Sequence, residues 1–173
     1  MGTREESGLT TADKFESWVK PLLVPATRYA YSILMSREDA EDAVQEAAIK
    51  AFVSLGRFDP TRSFKGWWFT IIRNCCLDGT RKRKLGSGVD LTHGETAFHV
   101  TTDPRPQIAR KDALVQSLCR LNSDHQEIIR LRYFGDCSYQ EIADSLGIPI
   151  GTVMSRIHAA RLALAKEYKE VEK

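Results

Sequence analysis

Along this chain apolar residues recur at spacings of three and four, the period of an amphipathic helix. No segment alternates convincingly as a half-buried strand does. The run Thr11-Ala-Asp-Lys-Phe15 supplies an N-cap, and Phe15, Trp18, Val19 and Leu22 follow at helical spacing. Pro21 and Pro25 break this segment into a short helix and a second one reaching Met35, because proline removes a helical donor and crowds the preceding turn. Ser36 then caps a third helix, with Glu38 and Asp39 in its first turn, where the helix dipole favours acids. Ala40, Val44, Ala47, Ala51, Phe52 and Leu55 give that helix one apolar face, and Gly56 closes it. After the loop Arg57–Ser63, the stretch FKGWWFTIIRNCCLDGTRKRK forms the last helix of a first block covering residues 11–84.

Residues 85–107, LGSGVDLTHGETAFHVTTDPRPQ, differ in kind. Gly, Ser, Thr, Asp and Pro crowd a stretch with no sustained apolar period, the signature of a linker. Fully extended it would reach roughly 75 Å. The second block, 108–173, resumes the helical pattern with Ile108, Val115, Leu118 and Leu121. Asn122 or Ser123 caps a helix through Tyr133, Gly135 ends it, and two more helices follow over Tyr139–Leu146 and 150–170. The pattern predicts an all-α fold: two small helical domains joined by a flexible linker.

Composition narrows the class without naming a function. Of 173 residues, 42% are hydrophobic and 28% charged, which places the chain among globular proteins rather than disordered ones. A net charge of +2 is too small to announce a nucleic-acid binder, so charge placement has to make that case. The N-terminus holds no apolar stretch fit for a signal peptide, and no run approaches the roughly 18 apolar residues that span a bilayer. The chain is expected to be cytoplasmic, without membrane insertion, and its four cysteines reduced.

The most specific local signal is SYQEIADSLGIPIGTVMSRIHAARLAL, residues 138–164. Ile142 and Leu146 lie one turn apart, and the small Ala143 between them lets a second helix cross closely. Gly147 falls where a sharp turn needs positive φ. Ile148 plugs the corner, and Val153 and Ile157 face back into the core. That is the spacing of a helix-turn-helix. In such a unit the N-terminal part of the second helix lies over base edges in the major groove. Here it carries Gly151, Thr152, Met154, Ser155, Arg156 and His158. Arg156 can grip a guanine with two hydrogen bonds or neutralise a phosphate, and Arg161, further along, suits a phosphate.

This stretch, with the preceding LNSDHQEIIRLRYFGDCSYQEIA, resembles the C-terminal domain of extracytoplasmic-function (ECF) sigma factors in the sigma-70 superfamily. The resemblance implies a winged-helix-like sigma domain that reads the −35 promoter element and touches the β flap of RNA polymerase. Met154 stands where the family often has lysine, and Cys137 is an addition to the commoner turn. The order Asp-Ala-Glu-Asp-x-Val-Gln-Glu in residues 39–46 is similar to the family's segment that docks on the β′ clamp helices. It implies that Asp39, Asp42, Gln45 and Glu46 bind core polymerase, although acids near a helix N-terminus are also an ordinary solvated face. Residues 64–74 are similar to the family's −10 recognition helix, and Arg62, Ser63 and Phe64 belong to the loop that the family uses to pocket a flipped base. The resemblance further implies an anti-sigma partner and a linker near the polymerase active site, where Asp90, Glu95 and Asp103 would suit a positively lined channel.

By spacing, Phe64, Trp68, Ile71, Ile72 and Cys75 are core, whereas Trp67, Asn74, Asp78 and Arg81 recur on another side. Asn74 can hydrogen-bond a base edge, and Trp67 is either packing or a stacking surface for an unpaired base. Arg81, Lys82, Arg83 and Lys84 suit phosphates. Cys75 and Cys76 point about 100° apart on a helix, which suits neither zinc nor a disulfide, so both read as small buried hydrophobes. His93, Glu95 and His99 offer donor atoms in the linker, but no metal, cofactor or enzymatic activity is assigned, and no obligate homo-oligomer is expected. The function expected is that of an alternative sigma factor that binds core polymerase, recognises both promoter elements and promotes melting. A stand-alone helix-turn-helix regulator and a sigma-like decoy for an anti-sigma factor are the alternatives.

Overall fold

The structure, a computed structural model, describes residues 10–87 and 106–171, and these are helical with no strand among them. The readings placed on Asp90, His93, Glu95, His99 and Asp103 lie outside the described residues, as do the side chains of Lys82, Arg83, Lys84 and Ile108.

Helix α1 covers Thr11–Val19 and begins one residue earlier in its logic than the pattern suggests. Thr10, not Thr11, is the N-cap: its hydroxyl accepts from the Asp13 amide at 3.2 Å, and the Asp13 carboxylate accepts from the Thr10 amide at 2.7 Å. This reciprocal box satisfies two orphan donors, and the hydroxyl and amide of Thr10 hold the Asp13 carboxyl below its ordinary range. A 3-10 turn at Lys20–Leu22, with Pro21 at its second position, leads into α2, Leu23–Leu34. Pro25 therefore breaks nothing. It sits in the first turn of α2, where an amide would have no helical acceptor anyway. Helix α3 covers Arg37–Val53 behind the N-cap Ser36, and Gly56 does not close it; Ser54 is the C-cap and Gly56 lies within a following 3-10 turn. Ala40, Val44, Ala47 and Ala51 are buried as expected, but Phe52 stays 45% exposed, its ring edge-on to Phe15.

Helix α4 spans Phe64–Ser87, past the expected end at residue 84, and α5 starts at Pro106, inside the stretch read as linker. Helix α6, Ser123–Ile129, is capped by Asn122, whose side chain accepts from the His125 amide at 2.8 Å. It continues as a π-helical turn over Arg130–Phe134, where the pattern suggested regular α-helix. The widening lets the Gly135 amide reach back to the Arg130 carbonyl at 3.0 Å and the Cys137 amide to that of Leu131 at 3.0 Å. Helices α7, Tyr139–Leu146, and α8, Ile150–Val171, complete the fold.

The two helical regions pack against each other. Trp68, Phe69, Ile72, Cys75 and Cys76 on α4 are all buried, while Phe64 and Ile71, expected in the core, are only partly so. Phe69 shows what the single-stripe reading missed. Its ring packs edge-on to Tyr29 of α2 at 5.3 Å, and Gly135 from the C-terminal region lies against its other edge. A Cβ on Gly135 would come within 2.6 Å of that ring. Buried residues of both regions thus form one continuous core. Phe69→Ala is expected to cost about 3 kcal/mol of unfolding free energy by urea titration, the magnitude for deleting a buried aromatic ring. A loss of only a few tenths would show that the inter-region contact carries little stability.

Candidate functional site

The helix-turn-helix is built from α7, a turn and α8. Ser138 and Glu141 cap α7 reciprocally, with the Glu141 amide 3.2 Å from the Ser138 hydroxyl and the Ser138 amide 2.7 Å from the Glu141 carboxylate. Gly147 takes φ 65, the left-handed conformation the tight turn demands. Ile142, Ala143, Val153, Ile157 and Ala160 are buried at the crossing. On the outer side of α8, Gly151, Met154, Ser155, His158 and Arg161 are exposed, and Thr152 is half-buried. Arg156 is steered: its Nη1 lies 3.2 Å from the Asp124 carboxylate at the start of α6. Arg132 donates to the Cys137 carbonyl at 2.9 Å and lies over the Tyr139 ring, which fixes the entry to α7.

On α3, Asp42, Gln45 and Glu46 face outward and Asp39 is half-buried in the first turn. The like charges of Asp42 and Glu46 do not stand alone, because Lys50 reaches back to Glu46 at 2.8 Å. Such an exposed pair one turn apart contributes only about 0.3–0.5 kcal/mol, so it is easily exchanged for another partner. Ile49, Phe52 and Val53 beside it are exposed apolar side chains.

The third group is divided by its surroundings. Asn74 and Arg81 are exposed on α4, with Arg81 3.6 Å from Asp78. Trp67 is half-buried: its ring centroid lies 5.1 Å from that of Phe58 and 5.7 Å from that of Phe64. Its remaining face lines a cleft of about 380 Å³ together with Phe58, Arg62, Ser63, Thr70 and Asp144. Arg62, Ser63, Phe64 and Trp67 are thereby brought together, while Asn74 and Arg81 lie further along the helix.

At Arg73, further along α4, the inter-region contact includes polar groups. The Tyr29 hydroxyl donates to the Glu127 carboxylate at 2.5 Å, and the Arg73 guanidinium lies 3.3 Å from the same oxygen. Burial, and after it the Glu127 charge, pushes the Tyr29 phenol well above its ordinary range. Burial likewise lowers the Arg130 guanidinium. The thiols of Cys76 and Cys137 are each pushed up to about 12, by burial first.

Sequence comparison decides what these surfaces belong to. Residues 18–85 match the family Sigma-70 region 2, and residues 111–164 match Sigma-70, region 4. The ECF RNA polymerase sigma factor SigW of Bacillus subtilis is 32% identical over 152 residues, 82% of this chain and 81% of the relative. The chain belongs to the ECF RNA polymerase sigma factors. SigL, an ECF sigma factor of Mycobacterium tuberculosis, is 31% identical over 148 residues, covering 83% of this chain and 82% of its own. Among solved structures, CnrH in complex with the cytosolic domain of CnrY aligns with a TM-score of 0.64 at 28% identity, over 88% of this sigma factor and 85% of CnrH. The sigma factor RpoE of Bartonella quintana, with the anti-sigma factor NepR, aligns at 0.62 and 28%, over 89% and 98%. As a sigma factor it acts with RNA polymerase on promoter DNA. Among the described residues no helix is long and apolar enough to cross a membrane.

Sequence reasoning missed Tyr29, Gly66, Glu127 and Asp144 as a group. None has a motif of its own, and only the consecutive apolar run 67–69, too wide for one stripe, hinted that α4 is covered on two sides. The buried thiols of this sigma factor give a pH expectation. Between about pH 9 and 12 an unfolded chain ionises Cys76 and Cys137 while the folded one keeps them protonated, so stability is present below pH 9 and falls as pH rises. Urea midpoints for the Cys76→Ala, Cys137→Ala double variant should fall less between pH 8.5 and 10.5 than those of the parent. Equal falls would mean that these thiols reach solvent in the native state.

Proposed function

We propose that this sigma factor docks on the β′ clamp helices of core polymerase through Asp39, Asp42, Gln45 and Glu46 of α3. Helix α4 and the loop before it engage the −10 element, and α8 reads the −35 element while its region touches the β flap. One observation carries the reading. On α3 and α8 the side chains needed for this work stand outside the core, while the apolar positions of the same helices are buried in it. Arg156 suits a guanine edge, exposed Met154 suits the methyl of a thymine, and Arg161 suits a phosphate. Asn74 offers a base-edge hydrogen bond, and Trp67 with Arg62 and Ser63 on one side of the cleft, and Phe64 packed against Trp67, offer a surface for an extruded base. Arg81, Lys82, Arg83 and Lys84 continue the same helix with phosphate contacts. By likeness to CnrH and RpoE, each solved with the partner named above, this chain also takes an anti-sigma factor.

Run-off transcription with purified core polymerase tests the reading: a promoter-specific transcript is expected only when the chain is added. Promoter binding as a dimer without core enzyme would instead favour a stand-alone regulator. The Asp42→Lys, Glu46→Lys double variant should weaken core binding about tenfold or more, and unchanged affinity would remove α3 from the interface. Arg156→Ala should cost about 1–3 kcal/mol of promoter affinity, concentrated at one base pair of the −35 element. A loss spread evenly over all sequences would make Arg156 a phosphate contact.

A further inference from the structure

The two regions touch at the surface assigned above to the −10 element, and that contact is tight enough to depend on one missing methyl group. Gly66 lies in the first turn of α4, buried beneath α7. A Cβ there would stand 2.9 Å from the Glu141 carbonyl oxygen and 2.9 Å from the Asp144 Cβ, closer than real side chains approach. With the backbones this near, α7 lays its polar edge along the loop and the helix. The Asp144 carboxylate accepts from the Ser63 amide at 3.3 Å, and its carbonyl oxygen lies 3.5 Å from the Arg62 guanidinium. The Thr70 hydroxyl bonds to the Ser145 carbonyl at 3.1 Å. Lys65 bonds to the Asp136 carbonyl and lies 3.5 Å from Glu141. A carboxylate at the start of a helix occupies the place that suits a phosphate, since both satisfy the same orphan amides and dipole.

Geometry makes this arrangement exclusive of promoter engagement. Two turns of duplex separate recognition sites by roughly 70 Å, whereas here the first helix of the helix-turn-helix rests directly on α4. We propose that α7 is an intramolecular partner of the −10 surface: seated through Gly66 and Asp144, it walls one side of the cleft of Arg62, Ser63 and Trp67 with Asp144, Ser145 and Leu146, and it must leave before single-stranded DNA can lie across those side chains. The proposal rests on the reading of that cleft given above. Apparent affinity scales with the open fraction, so if the closed form is about ten times as populated as the open one, release raises DNA affinity about tenfold.

The test uses the full chain without polymerase. Gly66→Ala is a sharp probe, because alanine favours the helix itself and only the contact with α7 suffers. Its radius of gyration by small-angle X-ray scattering should exceed the parent's at equal helical circular dichroism. Its affinity for a fluorescent pool of random single-stranded 15-mers should rise about tenfold. Asp144→Ala, which removes atoms and adds none, should act in the same direction and decides the matter if Gly66→Ala loses helicity. Variants as compact as the parent would show that these residues do not hold the contact, and expansion with no gain in DNA affinity would show that it does not mask the surface. Either result overturns the inference. A parent chain that supports run-off transcription while the variants behave like it leaves the promoter reading standing and removes only the mask. If the parent gives no transcript, the promoter reading fails, and the scattering result still decides whether α7 is seated there.

Discussion

Helix α4 carries large apolar side chains over more of its circumference than one neighbouring layer can cover. Trp68 and Phe69 are adjacent and both fully buried, as are Ile72 and Cys76. A helix apolar on two sides must be enclosed. Helices α2 and α3 cover one side, and the turn after α6, together with α7, covers the other. The placement of the helix-turn-helix, the seat of Gly135 against Phe69 and the burial of Tyr29 all follow from that requirement.

The enclosure also explains the acids at the contact. Tyr29 is taken from water by the same packing that hides Phe69, and Arg73 partly so; Glu127 supplies an acceptor for the first and a counter-charge for the second. Removing either neighbour would leave a partly buried carboxylate short of a partner, a greater cost than the modest net gain of making the pair. Cys76 lies in this environment as a protonated small hydrophobe, raised by burial, by Cys75 and by the Glu127 charge. That is the behaviour of a packing residue rather than a reactive thiol.

Much of this was legible in the sequence because local physics wrote it. Capping at Ser36 and Asn122, the alanine face of α3, the left-handed Gly147 and the apolar plugs of the helix-turn-helix each depend on residues within a turn or two of one another. The misses arise where a distant element decides. Pro25 looks like a breaker until its place in the first turn of α2 is known. Regular helix is the natural reading of residues 123–133, yet the chain widens into a π turn that presents Gly135 to Phe69. For the candidate site, the outward residues of α3 and α8 could be named from periodicity. Asp144 and Gly66 could not, because a carboxylate 81 residues from Ser63 is invisible to any local pattern.

The division of labour between apolar and polar contacts bears on how firmly the closed form can be held. Exposed ion pairs such as Arg156 with Asp124 contribute little in water, on the order of 1 kcal/mol or less, and salt weakens them further. They orient a guanidinium without committing it, since a phosphate or a guanine edge offers a charge-assisted bond of comparable or greater strength. The Asp144 contacts at the mouth of the cleft are of the same modest kind, at 3.3 and 3.5 Å. The burial of Phe69 and its neighbours, and the close seat of Gly66 against α7, add a part that is indifferent to salt and to charge. Polar groups at the rim choose which faces meet, and the apolar seat beneath them sets how much a competing surface has to supply to part them.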